Sequence, residues 1–218
     1  MLEAPAFWAK PGLLSGLLLP LGWSHAALGT ARRRFFHAWR ARVPVICVGN
    51  LVAGGAGKTP VSLSLARIMT EAGLAPHILS RGYRARLSGP LRVDPAQHSA
   101  AEVGDEPLLL ARAAPTWIGA DRVASARAAI AAGAGILLLD DGFQNPHLHH
   151  DLALVVIDGA YGLGNGRVIP AGPLREPAAA GLARASAVVL MGKPRPDLAL
   201  GGKTVLRATL APRDGDLF

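Results

Sequence analysis

Gly54-Gly55-Ala56-Gly57-Lys58-Thr59-Pro60 follows directly on the apolar run Val43-Pro44-Val45-Ile46-Cys47-Val48. These residue types in this order suit nucleotide phosphates. Glycines let successive backbone N–H groups converge on phosphate oxygens, and the N-terminus of a following helix adds the positive end of its dipole. A lysine at the helix start reaches the β- and γ-phosphates, and a threonine hydroxyl beside it is placed to take Mg²⁺. Gly54, Gly55, Ala56, Gly57, Lys58, Thr59 and Pro60 are therefore the candidate binding residues for ATP or GTP. The strict pattern of a phosphate loop would put its first glycine at Val52, and the nearest upstream glycine is Gly49. Context carries the reading past that defect. Val61, Leu63, Leu65, Ile68 and Met69 give an apolar helical face that ends at Gly73, and Pro60 fits a first helical turn, where a missing N–H costs nothing.

Four aliphatic residues, Ile136 to Leu139, run into Asp140-Asp141-Gly142-Phe143-Gln144. A carboxylate at the C-terminal end of a buried strand is the expected companion of a phosphate loop, because it can hold Mg²⁺ or the waters around it. Adjacent carboxylates point in different directions, so either Asp140 or Asp141 can address the metal while the other takes a separate polar contact. Gly104-Asp105-Glu106-Pro107 reads two ways, as a helix start capped by Asp105 or as the source of a catalytic carboxylate. Arg81 and Arg175 each stand in a loop next to a strand, where an arginine can meet phosphate. His147, His149 and His150 lack the cysteine or acidic companions of a zinc site, and a polar loop before the next strand is the expected setting.

These groups need a scaffold, and the sequence describes one. Short aliphatic runs at Pro76–Ser80, Thr116–Ile118, Gly135–Leu139, Leu152–Ile157, Ala187–Met191 and Lys203–Leu210 alternate with helical patterns at Glu106–Ala113, Arg122–Ala132 and Ala178–Ala185. Continuous apolar strands separated by helices predict an α/β fold, a P-loop NTPase-like, mostly parallel sheet with helices on both faces. No internal repeat is visible.

At 218 residues and 50% hydrophobic, the chain can bury a full core, which excludes disordered and fibrous classes. The formal charge of +8 is uneven. Lys10, Arg32, Arg33, Arg34, Arg40 and Arg42 face only Glu3 before position 43, and arginine outnumbers lysine 19 to 4. That bias reads as genome composition, with no nucleic-acid partner. The sole cysteine, Cys47, lies inside the first apolar strand, so no disulfide is available and a reducing compartment is expected. Leu13 to Leu21 is apolar but interrupted by Gly16 and Pro20, at about half the length a bilayer requires. With Trp8, Trp23, Phe35, Phe36, Trp39 and the Arg32-Arg33-Arg34 cluster, it predicts a segment lying on an anionic membrane surface. A division follows: a membrane-docking segment over 1–42 and a nucleotide-binding domain over 43–218.

From Val43 to Gly192 the chain resembles the tetraacyldisaccharide 4′-kinase family, the lipid A 4′-kinases. The resemblance rests on Val48-Gly49-Asn50 leading into the glycine loop, Ser80-Arg81-Gly82-Tyr83, Gly104-Asp105-Glu106-Pro107, Asp140-Asp141-Gly142-Phe143-Gln144 and Gly172-Pro173-Leu174-Arg175-Glu176, in that order. The family also lacks the first loop glycine, and its N-terminal segment docks on membranes. The resemblance implies transfer of the ATP γ-phosphoryl to the 4′-hydroxyl of a tetraacyldisaccharide 1-phosphate, the lipid A precursor, at the cytoplasmic face of a bacterial inner membrane. It implies Lys58, Asp105 and Asp141 as catalytic residues, with Asp105 the general base. Thr59 with Asp140 or Asp141 would organise Mg²⁺, and Gln144 and Arg175 would hold phosphates or the acceptor, Arg81 less directly. No protein partner is inferred. The family carries a C-terminal Asp-His-His motif whose histidine supports the catalytic aspartate, and this sequence has none; His149-His150-Asp151 runs in the reverse order. A C-terminally truncated form with reduced activity is the expectation. A switch GTPase or partitioning-type ATPase is the competing class, and the guanine-reading Asn-Lys-x-Asp segment a GTPase needs is missing. A non-catalytic, membrane-peripheral nucleotide binder is the third.

Overall fold

A computed structural model describes residues 4–83 and 85–211. In chain order the helices are α1 (Leu13–Leu17), α2 (Leu19–Phe35), α3 (Lys58–Glu71), α4 (Ala100–Val103), α5 (Asp105–Ala111), α6 (Arg122–Ala131) and α7 (Ala178–Arg184). The strands are β1 (Val45–Gly49), β2 (Pro76–Ser80), β3 (Leu91–Arg92), β4 (Thr116–Ile118), β5 (Ile136–Asp140), β6 (Leu152–Asp158), β7 (Ala187–Met191) and β8 (Val205–Ala208). The residues group into two compact units. One comprises Met1–Ala26, Leu51–Gly57 and Val155–Phe218, the other Ala27–Asn50 and Lys58–Leu154.

In the second unit the strands lie in the order β3-β4-β2-β5-β1. β1 and β2 both pair with β5 in parallel, Val45 opposite Leu137 and Ile78 opposite Leu138, and β2 pairs with β4 in parallel. β3 is antiparallel to β4 and had no counterpart in the sequence reading, because two residues carry no period. All five residues of β2 and of β5 are buried, which is why β5 reads as four aliphatics running into Asp140, while β2 buries His77 and Ser80 beside Ile78 and Leu79. α6 starts at a cap that its sequence supplies, the Asp121 carboxylate accepting from Val123 N at 2.8 Å and Ala124 N at 3.0 Å.

In the first unit the strands run β6-β7-β8, with β7 and β8 parallel. The strand expected over Lys203–Leu210 is shorter, Val205–Ala208. The parallel strands and helices are those of the α/β, P-loop NTPase-like class.

The N-terminal aromatics divide. Trp23, Phe35 and Phe36 are exposed, with Leu13, Leu17 and Leu28. Trp8 instead donates its indole N–H to Pro170 O at 3.1 Å. Trp39 pairs its backbone with the loop at Leu148, with Arg127 over its ring. Among the described residues no helix is long and apolar enough to cross a membrane.

Candidate nucleotide site

The glycine loop belongs to the first unit. Gly54 and Gly57 have φ of +117° and +78°, backbone that only glycine adopts without strain, so the turn depends on them. Gly57 lies against the Met191 side chain, and Ala56 is buried. The approach to the loop is a short antiparallel pairing. Val52 bridges Leu174, Ala53 N donates to Pro173 O at 2.7 Å, and Arg175 N donates to Leu51 O at 2.8 Å. Val52 is buried in this pairing, which explains a side chain where the strict motif has glycine: position 52 here makes a single bridge to Leu174. Arg175, a candidate phosphate ligand, is thereby fixed through its backbone beside the loop entrance.

The side-chain chemistry is gathered in the second unit. Lys58 opens α3, and its Nζ stands 3.8 Å from Asp141 Oδ1. Asp140 ends β5, is 2% exposed, and its Oδ1 accepts from Ser62 Oγ at 2.7 Å. Burial pushes the Asp140 carboxyl up to about 6, with the Asp141 and Glu106 charges adding to the rise and the Ser62 hydrogen bond and Lys58 opposing it. Asp141 has a positive φ of 51° and donates its N–H to Val48 O at 2.9 Å, and the two carboxylates have different partners, Ser62 for Asp140 and Lys58 for Asp141. Gly49 lets this loop close on β1: a Cβ there would stand 2.4 Å from the Phe143 Cβ. Gln144 Nε2 donates to Asn50 O at 3.0 Å, tying the aspartate loop to the residue after β1.

Asp105 is the first residue of α5 and exposed; the cap is Gly104, at φ +92°. Of the two readings of this segment, the one with Asp105 as the cap is therefore corrected. Thr59, half-buried, and Pro60 lie in the first turn of α3, as the sequence predicts. Arg81 is exposed after β2.

The sequence reading missed Ser62, Glu106 and Arg122. Ser62 carries a readable signal, one turn along the helix that begins at Lys58. Arg122 has none. It is 4% exposed, and its Nη1 donates to Ser80 O at 2.9 Å and to Gly119 O, joining the C-terminal ends of β2 and β4. Burial, with Arg81 nearby, holds its guanidinium down to about 10, while Asp141 and Asp140 favour the charge. Arg122 also lines a cavity of about 420 Å³ with Ala120, Asp121, Val123 and His147.

The donor set available to a cation is all oxygen: Thr59, Asp140 and Asp141. Among the described residues no three His, Cys, Asp or Glu side chains cluster as a metal cage. Two carboxylates and a hydroxyl fit Mg²⁺, which keeps waters and takes remaining ligands from phosphates. His147, by contrast, packs edge-on against Phe36 with ring centroids 4.6 Å apart, and His149 meets Arg40 at 2.5 Å.

A family profile described as LpxK, tetraacyldisaccharide-1-P 4′-kinase, matches residues 14–216. A tetraacyldisaccharide 4′-kinase of Rhodospirillum centenum is 61% identical over 97% of this chain and 65% of its own length. One from Dinoroseobacter shibae is 53% identical over 97% of this chain and 66% of its own. The chain thus spans just under two thirds of these relatives. A crystal structure of LpxK from Aquifex aeolicus in complex with ATP superposes with a TM-score of 0.75 at 31% identity, covering 89% of this chain and 64% of that one.

Proposed function

The chain belongs to the tetraacyldisaccharide-1-P 4′-kinase family, and on that premise we propose that it transfers the γ-phosphoryl of ATP to the 4′-hydroxyl of a tetraacyldisaccharide 1-phosphate. The observation that carries the reading is the cluster at the start of α3, where Lys58 stands 3.8 Å from Asp141 while Ser62 fixes Asp140 at 2.7 Å. The glycine loop binds phosphate oxygens through its N–H groups, and Lys58 neutralises charge on the β- and γ-phosphates as it redistributes during transfer. Thr59, Asp140 and Asp141 would hold Mg²⁺, which supplies further charge neutralisation at the phosphates when bound. Asp105, exposed at the head of α5, accepts the proton of the attacking sugar hydroxyl. Arg175 and Gln144 steady phosphate or acceptor groups, with Arg81 in a lesser role.

Residues 1–42 dock the protein on the anionic cytoplasmic face of a bacterial inner membrane, and residues 43–218 carry the nucleotide chemistry. Exposed Leu13, Leu17, Trp23 and Leu28 together with Arg32, Arg33 and Arg34 support that assignment. The test supplies γ-labelled ATP, Mg²⁺ and the lipid acceptor in anionic vesicles, and follows label in the lipid. Label transfer that Lys58→Ala removes is the expected result. Mg-ATP binding with unlabelled lipid would overturn the kinase reading and leave a peripheral nucleotide binder.

A further inference from the structure

Glu176 is a glutamate with 1% of its surface exposed, an arrangement that needs a reason. Both its carboxylate oxygens accept from Arg184 Nη2, at 2.6 and 2.7 Å. We propose that Glu176 and Arg184 are a positioning pair that holds the strap Pro173–Arg175 in place and, through it, the entrance to the glycine loop.

The loop itself cannot supply that rigidity. Glycine backbone is conformationally permissive, so a turn built on Gly54 and Gly57 takes its geometry from whatever anchors its ends. Its entrance, Leu51 to Ala53, hangs on the strap by the two backbone hydrogen bonds and the Val52–Leu174 bridge described above. Upstream the strap is secured by backbone bonds, Leu174 N to Arg167 O at 3.0 Å and Ile169 N to Leu174 O at 2.8 Å. Downstream the chain leaves through Glu176 into α7, and there the anchor is the ion pair with the last residue of that helix. α7 in turn packs directly on the loop entrance, since a Cβ on Gly181 would stand 2.4 Å from Leu51 Cδ2. Leu51, Arg175, Glu176, Arg184 and Gly181 therefore close a ring of contacts around the first residues of the phosphate loop.

An apolar side chain would fill the Glu176 position without the desolvation a carboxylate suffers, and removing Arg184 takes from the buried carboxylate the two bonds at 2.6 and 2.7 Å that offset its burial, which favours a shift toward water. Such a move carries Arg175 and the strap with it, because Glu176 is the next residue. The pair thus acts on nucleotide binding at one remove, without touching the phosphates.

The inference rests on the nucleotide reading of residues 54–59, and the experiment separates the two. Binding of a fluorescent Mg-ATP analogue is titrated on the unsubstituted chain and on Arg184→Ala, Arg184→Lys and Glu176→Gln, with thermal unfolding to establish the folded fraction. Arg184→Ala should weaken Mg-ATP binding by about tenfold per folded molecule, the size expected of a small misplacement of a binding group, and Arg184→Lys should restore most of it. Where catalysis is measured, KM for ATP should rise more than KM for the acceptor. If Arg184→Ala does not fold, Glu176→Gln, which keeps shape and an acceptor oxygen, should still weaken binding severalfold. Unchanged affinity in the folded variants, a role in stability alone, would overturn the pair's function. Failure of the unsubstituted chain to bind Mg-ATP would instead remove the nucleotide reading and the positioning role with it.

Discussion

The glycine loop and the Lys58–Asp141 cluster, both proposed for nucleotide phosphates, would act by opposite physics. The loop presents backbone, so what matters is the path of the chain: positive φ at Gly54 and Gly57, and a strap that pairs with Leu51 to Ala53. The cluster presents side chains, so what matters is charge held out of water: Asp140 buried and raised to about 6, Lys58 aimed at Asp141. Backbone recognition costs conformational restriction and little electrostatic energy. The buried Asp140 carboxylate carries a standing penalty that Ser62 and Lys58 offset in part and that a bound cation would offset further. The two regions should accordingly fail differently when altered.

The largest effect is expected in the cluster. Lys58→Ala should lower phosphoryl transfer by about 10²- to 10³-fold, the usual loss for one preorganised charge at a transition state, with the circular dichroism spectrum unchanged. Lys58 stands in the first turn of α3, where alanine keeps the helix. Near-normal turnover in a folded variant would end its assignment.

Next comes the penalty itself. Asp140→Asn should stabilise the nucleotide-free chain by on the order of 1–3 kcal/mol at pH 8, since it removes a charge whose folded-state pKa lies above the unfolded value. The sign follows from that order. Below about pH 4 the carboxyl is protonated in both states and the gain should vanish; it grows as pH rises and levels off above about pH 6. Denaturant unfolding at several pH values would measure it, and a destabilised variant at pH 8 would break the contrast between the two regions.

The smallest effect is expected in the loop. Gly57→Ala forces a side chain onto φ +78° and brings its Cβ to 3.3 Å from Met191 Cγ, a flexible atom that can give way. Backbone strain of this kind is worth 1–3 kcal/mol, so Mg-ATP binding should weaken by about tenfold. Titration with a fluorescent analogue would read it. A variant that bound normally but turned over slowly would mean the loop acts in catalysis as the cluster does.

Much of this molecule is written locally in its sequence. A buried parallel strand is a run of apolar residues, a glycine loop is a string, and an amphipathic helix after it has a period, so β1, the loop, α3, β5 and the Asp140-Asp141 ending could each be read within a window of ten or so residues. Gly57, Lys58, Thr59 and the aspartates became candidates that way. Other features depend on residues far apart in the chain and leave no local period. Val52 looked like a flaw in a motif until its bridge to Leu174 accounted for a buried side chain there. Ser62, Glu106 and Arg122 became part of the site only because α3, α5 and α6 bring them to the ends of β5, β2 and β4. The backbone bridge of Trp39 to Leu148, 109 positions on, likewise left no local signal. The sequence by itself determined most of the elements and which of them carry the residues proposed for phosphate chemistry, because propensity, burial pattern and glycine placement act over short range. The tertiary structure alone decided which backbone supports the loop and which side chains set the charge at Asp140, because hydrogen bonds and desolvation depend on distances in space.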